Sequence, residues 1–272
     1  MSGGSRPARV RQAHLDWLAE RLSPRDQAIL LDLGRVRLLT SSQLERIHFV
    51  ELSGRSRAVV RARVLKRLVD WRVIVSLPRR VGGLAGGGSS EAVFALDSAG
   101  QRLYRQWAAE TMPERVRRPS LPSERFVSHV LTVAELYVQA VEASRAGMLT
   151  LDHFAAEPDA WVHDGLGGWL KPDAVLVVHS AAAEDSWWIE VDKATEHVPT
   201  LRRKLSVYLD FVRRGQLGPG GVVPRVLLTV PSAVRLDALR DVIAHLPEPA
   251  SKLFVPVLEE RAIPTVAEVL LE

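Results

Sequence analysis

The sequence contains no cysteine, and this absence narrows the kinds of site that the protein can carry. Disulfide bonds and zinc sites built on thiolates are both excluded, because each requires cysteine side chains. No apolar run approaches the roughly 18 residues that a transmembrane helix needs. The N-terminal stretch MSGGSRPARVRQ has basic residues but no apolar segment behind them, unlike a secretory signal. These features predict a cytoplasmic protein without a membrane partner.

Charge is distributed unevenly along the 272 residues. Residues 1–122 contain 22 Lys and Arg against 11 Asp and Glu, whereas residues 123–272 contain 14 against 21. A basic half joined to an acidic half suggests that a binder of polyanions is attached to a domain of another kind. The alternative is uneven decoration of an ordinary protein surface.

The basic half shows three helical patterns. Ser23 and Pro24 suit the N-cap and first position of one helix, and Thr40 suits the cap of a second. A third pattern runs from Ser56 to about Trp71. At 100° per residue, its predicted apolar side consists of Ala58, Ala62, Leu65, Leu68 and Val69.

Two strand-like runs, residues 73–77 and 92–96, follow the third helix and enclose a glycine-rich loop. Three helices followed by a β-hairpin are typical of a winged helix-turn-helix, in which the third helix enters the major groove and the hairpin touches the backbone. The residues predicted to contact DNA are Arg57, Arg61, Arg63, Lys66, Arg67, Arg79 and Arg80. A three-helix bundle with a solvated basic face is the alternative. The predicted domain covers residues 23–110, after an N-terminal extension over 1–22.

Residues 111–123 contain three prolines and are predicted to form a linker. Beyond them, the acidic half 124–272 begins with a long helix over 124–145. Strand patterns, a helix over about 196–214, and further alternating strands and helices follow. This order predicts an α/β domain with a mixed sheet, so the whole chain is expected to be a two-domain protein of the α+β and α/β classes.

Three carboxylates lie within strand patterns that otherwise suit a core. Glu190 and Asp192 are two residues apart, so they share one face of a strand, and Asp173 lies on the preceding strand. If these strands pair, the three carboxylates converge and require a shared proton or a cation. Oxygen ligands suit Mg²⁺ or Mn²⁺, which can activate water for attack on a phosphodiester. Alternatively, Asp173 caps a turn, and Glu190 and Asp192 pair with arginines.

A lysine near these acids would complete a catalytic site. Strand alternation directs Lys193 to the opposite face, whereas Lys204 lies on the following helix and can lean over the sheet. There it could stabilise charge on a transferring phosphate. The histidines, including His129, show no convincing metal-ligand spacing and are interpreted as surface or core residues.

The stretches KPDAVLVV, WWIEVDKATEH and LRRKLSVYLDF resemble the replication-relaxation family of plasmids and other mobile elements. The resemblance covers roughly residues 25–260. It implies an N-terminal winged helix and a C-terminal domain similar to PD-(D/E)XK nucleases. It further implies that Asp173, Glu190 and Asp192 hold the metal and that Lys204 is the catalytic lysine, displaced onto the helix. Asp192 stands where the family of nucleases usually has a lysine.

Two functions follow as hypotheses. The first is a DNA-binding protein whose metal-dependent nuclease-like domain acts on DNA in replication, transfer or maintenance of a mobile element. The second is a non-enzymatic DNA-binding regulator whose degenerate nuclease fold serves dimerisation or partner docking. DNA is the expected partner in both, and a homodimer and contacts with replication or transfer proteins are left open.

Overall fold

A computed structural model describes residues 10–81, 91–108, 123–181, 183–194 and 197–271 of the chain. The chain divides into two units, residues 1–127 and 128–272. The glycine-rich loop, nearly all of the predicted linker and the first nine residues lie outside the described part. Within the described residues, no helix combines the length and the apolar character that crossing a membrane requires.

Two helices of the first unit begin at the predicted capping residues. The Ser23 hydroxyl accepts the N–H of Asp26, and the Thr40 hydroxyl accepts the N–H of Gln43, so each cap satisfies a free donor of its helix. The elements are α1 (Gln12–Arg21), α2 (Pro24–Val36), β1 (Leu39–Thr40), α3 (Ser41–His48), α4 (Gly54–Asp70), β2 (Ile74–Val81), β3 (Glu91–Leu96) and α5 (Ser98–Ala108). β3 lies between β1 and β2 in an antiparallel sheet.

Two features of this unit differ from expectation. Residues 12–21, assigned to an extension, form α1, and its Leu15 and Leu18 are buried. In α4 the predicted apolar side is wrong at Ala58 and Ala62, which are exposed. The buried positions of α4 are Val64, Leu65 and Leu68. Alanine carries too little apolar surface to decide which side of a helix faces the core.

The second unit contains the predicted mixed sheet. It begins within α6 (Glu124–Arg145). The elements that follow are β4 (Thr150–Ala156), β5 (Val162–His163), β6 (Trp169–Leu170), β7 (Ala174–His179), β8 (Glu184–Val191), α7 (Val198–Arg213), β9 (Arg225–Val230), α8 (Ala233–Ala244), α9 (Ala250–Leu253), β10 (Phe254–Leu258) and α10 (Ala262–Leu270). The strand order is β10-β9-β8-β7-β4. β8, β9 and β10 run parallel, whereas β4, β7 and β8 pair antiparallel.

The two faces of this sheet are covered by different helices. On one face, Val175, Trp188 and Leu228 share an apolar cluster with residues of α7, α8 and α9. On the other face, Tyr137 of α6 lies 5.2 Å, ring centre to ring centre, from Phe154 of β4. α7 therefore lies on the face that carries Val175 and Trp188, and this places its polar residues over the ends of β7 and β8.

Candidate active site

Asp173 and Glu190 lie side by side on neighbouring antiparallel strands. Ala174 of β7 pairs with Ile189 of β8, so one step further along the same register sets Asp173 opposite Glu190. The N–H of Asp173 donates to the carbonyl oxygen of Ile189 at 3.0 Å, which extends this pairing beyond β7. Alternation along both strands directs the two carboxylates to the face that α7 covers.

Glu190 is buried and is contacted by two side chains of α7. The Tyr208 hydroxyl donates to its Oε1, and the ammonium of Lys204 forms an ion pair with its Oε2. Lys204 and Tyr208 are four residues apart, so they project from the same side of α7. Burial raises the pKa of Glu190 to about 8, although Lys204 and Tyr208 favour the ionised form.

Asp173 is held ionised by hydrogen-bond donors. Its Oδ2 accepts the N–H of Val191 at 2.8 Å, and its Oδ1 lies 3.2 Å from Nε2 of His129. Burial opposes ionisation, but the hydrogen bond from His129 and the charge of Lys204 hold the pKa of Asp173 below its usual value. The same hydrogen bond raises the pKa of His129. The pKa values of the two facing carboxyl groups are therefore shifted in opposite directions, downward for Asp173 and upward for Glu190.

Asp192 is engaged elsewhere. Its Oδ2 accepts a hydrogen bond from Nε of Arg235 at 2.6 Å, and its Oδ1 accepts the N–H of Ala194 at 2.8 Å. Strand alternation predicted that Asp192 would project beside Glu190, but β8 ends at Val191 and the alternation ends with it. No group of three or more acidic, histidine or cysteine side chains in the described residues could hold a metal ion. The expected convergence of three carboxylates is therefore not observed there.

The two candidate lysines lie on different sides of the sheet: Lys204 is on α7 as the helical period predicted, and Lys193 lies beyond the end of β8. Lys193 turns away from Glu190, and its Nζ contacts Oγ1 of Thr132 at 3.1 Å and Oε1 of Glu259 at 3.2 Å. Lys204 leans from α7 onto Glu190, and its charge also lowers the pKa of Asp173. One ammonium group thus serves both carboxyl groups of the site.

The chemistry of Asp173 and Glu190 fits a hard divalent cation. Mg²⁺ is commonly bound by one or two carboxylates, and water and substrate phosphates complete its coordination. Burial makes an ionised Glu190 costly without nearby positive charge, so a cation beside it would favour the ionised form. Each oxygen of these two groups already contacts a donor of the protein, so metal binding by Asp173 and Glu190 stays a prediction.

Several residues predicted to bind DNA are occupied by internal partners in the first unit. Arg57 and Arg61 both contact Glu45, and Arg57 also donates from Nε to the carbonyl oxygen of Leu52 at 2.6 Å. Arg67 donates to both carboxylate oxygens of Asp26. These pairs join the three arginines to other helices of the unit, and their contact with DNA stays a prediction.

The remaining predicted cations lie on exposed surface or outside the described side chains. Arg63 is exposed and has no ion-pair partner in the described residues. Lys66 pairs with Asp70 at 2.7 Å, but both side chains are more than half exposed. Such a pair contributes little to stability and breaks readily when another anion binds the lysine. The backbone of Arg79 and Arg80 belongs to β2, and their side chains lie outside the described part.

His129 and Arg235 were missed as members or neighbours of the site. His129 contacts a residue 44 positions away, and Arg235 contacts one 43 positions away. No spacing rule within a single helix or strand reveals such a partner. Tyr208 had a detectable signal, because it follows Lys204 by one helical turn on the same side of α7.

A known protein family matches most of the chain. The family model described as replication-relaxation matches residues 30–226, which include α4, Asp173, Glu190 and Lys204. Neither the curated proteins nor the solved structures contain a significant match to this chain.

Proposed function

Because the chain belongs to the replication-relaxation family, we propose that it is a DNA-binding protein of a plasmid or another mobile element. In this proposal the first unit is a winged helix-turn-helix that binds duplex DNA. The second unit is a PD-(D/E)XK-like domain that acts as a divalent-metal-dependent nuclease in replication, transfer or maintenance.

The observation that carries the nuclease proposal is the arrangement of Asp173, Glu190 and Lys204. Two carboxyl groups face each other across β7 and β8, and one ammonium group from α7 lies against them. A phosphodiester is an anion, so a site of carboxylates alone would repel it. Lys204 and a divalent cation together reverse the sign of the local charge and make the site suitable for a phosphate.

Each side chain has a definite task in this proposal. Asp173 and Glu190 would hold Mg²⁺ or Mn²⁺, which as a Lewis acid would withdraw electron density from the phosphate. Lys204 stabilises the negative charge that develops on the phosphoryl oxygens. His129 orients the carboxylate of Asp173 through its hydrogen bond, and Tyr208 does the same for Glu190.

DNA binding by the first unit is supported by element order and charge. α2, α3 and α4 precede the hairpin of β2 and β3, as in a winged helix-turn-helix. The exposed surface of α4 carries Arg55, Arg63 and Lys66, which suit contacts with phosphates. The ion pairs of Arg57, Arg61 and Arg67 hold the helices of the unit together and thereby present this surface.

A second candidate function is favoured by the ion pair between Asp192 and Arg235. In the standard nuclease signature the position of Asp192 carries a catalytic lysine, and here it carries an acid that is already neutralised. A nuclease fold that has lost its strand lysine could serve as a dimerisation or docking domain. The protein would then be a non-enzymatic DNA-binding regulator.

Plasmid cleavage distinguishes the two functions. Supercoiled plasmid is incubated with the full chain in Mg²⁺ or Mn²⁺, and nicked and linear products are quantified for wild type, Asp173→Asn and Lys204→Met. Asp241→Asn is the matched control, because Asp241 is exposed on α8. We expect metal-dependent cleavage that both site variants lose and the control retains. Salt-sensitive DNA binding without cleavage in either metal would favour the regulator instead.

A further inference from the structure

The exposed face of α4 combines small apolar side chains with cations. Arg55, Val59, Ala62 and Lys66 follow one another at helical spacing along the centre of this face, and Arg63 flanks it. Val59 is 47% exposed, and Ala62 is also exposed. The buried side of the helix is formed by Val64, Leu65 and Leu68. Val59 and Ala62 therefore face outward and do not belong to the core of the unit.

The charge of α4 indicates which kind of partner covers this face. The helix carries six basic residues and one acidic residue. Arg57, Arg61 and Arg67 are held by Glu45 and Asp26, and the other three cations remain on the exposed face. A face with an apolar centre and cationic ends complements a polyanion that also offers apolar contacts. Duplex DNA has this combination, because its phosphates border a major groove lined by the 5-methyl groups of thymine.

Short side chains at the centre of the face are suited to reading base edges. Because the side chains of Val59 and Ala62 are short, another surface can approach the α4 backbone closely at these two positions. Neither residue can donate or accept a hydrogen bond through its side chain, so neither can recognise guanine, adenine or cytosine by polar groups. The contact available to them is apolar, and thymine is the base that presents a methyl group in the major groove.

We infer that Val59 and Ala62 are specificity-determining residues that recognise thymine methyl groups, while Arg55, Arg63 and Lys66 contact the adjacent phosphates. This inference rests on the proposed DNA binding by the first unit, and it adds the kind of base that the unit reads. It differs from recognition by arginine, in which bidentate hydrogen bonds to guanine provide the discrimination.

Thymine and uracil differ only by this methyl group, so their exchange tests the inference directly. The full chain is used to enrich duplexes from a random pool, and an enriched duplex is resynthesised with dU in place of each dT in turn. For at least one position we expect wild-type affinity to fall roughly threefold to fivefold, the effect of removing one buried methyl group. In Val59→Ser or Ala62→Ser, the ratio of dT to dU affinity at that position should fall below about twofold, because the apolar contact is already lost.

A matched control separates this effect from general damage. Val234 is 82% exposed on α8, so Val234→Ser makes the same chemical change far from α4 in sequence and should keep the wild-type ratio of dT to dU affinity. Serine and valine have similar helix propensities, so unfolding curves should be unchanged in Val59→Ser and Val234→Ser, whereas Ala62→Ser should lower the unfolding midpoint slightly.

The outcomes also distinguish this inference from the proposed function. Equal binding of dT and dU duplexes, or an unchanged ratio in Val59→Ser and Ala62→Ser, overturns the methyl readout. Salt-sensitive binding that enriches no sequence overturns it as well but leaves DNA binding intact. Failure to bind any duplex rejects DNA as the occupant of the α4 face and, with it, the proposed function of the first unit.

Discussion

The guanidinium of Arg67 donates two hydrogen bonds to the carboxylate of Asp26, at 2.6 and 2.7 Å. Asp26 is completely buried, and it also accepts the backbone N–H of Ser23 in the capping box of α2. Arg67 therefore neutralises a charge inside the first unit and joins α4 to α2. A basic residue that the helical pattern assigned to a nucleic-acid surface thus has a structural role in the fold.

Removal of Arg67 is expected to destabilise the protein. Arg67→Ala leaves the buried carboxylate of Asp26 without its cation, and we expect a loss of about 2 kcal/mol in the free energy of unfolding. This figure is below that of a fully buried pair, because the Arg67 side chain is 39% exposed. Urea unfolding measures the change.

Arg63→Ala provides the matched comparison within the same helix. Arg63 is exposed, so its removal should change the free energy of unfolding by less than about 0.5 kcal/mol. It should weaken DNA binding and make the slope of log affinity against log salt concentration shallower by about one, the value for one lost phosphate contact. Equal destabilisation by the two substitutions would contradict the distinction between a structural and a DNA-contacting arginine.

The raised pKa of Glu190 predicts a pH dependence of stability. The folded pKa of about 8 lies above the ordinary value of 4.5, so between these pH values the folded state keeps a proton that the unfolded state has released. The contribution of Glu190 to stability is therefore fully present below pH 4.5 and is lost as pH rises toward 8. We expect the free energy of unfolding of wild type, relative to Glu190→Gln, to fall by on the order of a few kcal/mol across this interval.

The measurement is urea unfolding at several pH values in EDTA, so that no divalent cation contributes. Glu184→Gln is the control, because Glu184 is an exposed residue at the start of the same strand. The difference between wild type and Glu190→Gln should level off above about pH 8. A difference that stays constant from pH 4.5 to 8 would show that Glu190 titrates at its ordinary pKa.

Magnesium is expected to stabilise the folded protein through Asp173 and Glu190. A ligand present at tenfold its dissociation constant adds about 1.4 kcal/mol to the free energy of unfolding, which corresponds to a few degrees in Tm. Asp173→Asn should abolish this magnesium-dependent shift, and Asp192→Asn should retain it, because the carboxylate of Asp192 is bound to Arg235. Loss of the shift in both variants would mean that the ion pair opens and that Asp192 is a third ligand.

The pair formed by Asp192 and Arg235 should stabilise the second unit independently of any metal. Both side chains are nearly buried, at 9% and 13% exposure, so their interaction is screened less than that of a surface pair. A double-mutant cycle of Asp192→Ala and Arg235→Ala in EDTA should give a coupling energy of about 2 kcal/mol. A coupling energy near zero would contradict a structural role for Asp192.

Much of the local structure was predictable from neighbouring residues. Ser23, Pro24 and Thr40 place the starts of two helices, since a cap satisfies donors only a few residues away. Apolar periodicity predicted α6 over 124–145, and the helix covers the same residues in the structure. Apolar periodicity gave the wrong face at Ala58 and Ala62, because these small apolar residues lie on the exposed side of α4.

Part of the candidate site was predictable for the same reason. Strand alternation set Asp173 and Glu190 on one face, and helical spacing directed Lys204 toward them. These relationships depend on strand and helix periods of two and 3.6 residues, which the sequence displays directly. Asp192 departed from the pattern because it lies just beyond the end of β8, where the strand period no longer applies.

The sequence by itself determined where α2, α3 and α6 begin and that Asp173 and Glu190 share a face, because these features depend on residues only a few positions apart or on the strand period. Tertiary structure alone decided which charges meet: Asp26 with Arg67, Asp192 with Arg235, and His129 with Asp173. These partners are 41 to 44 residues apart. A local pattern records the polarity and spacing of side chains, whereas an ion pair depends on the distance between two atoms, and only the packing of elements brings that distance to about 3 Å.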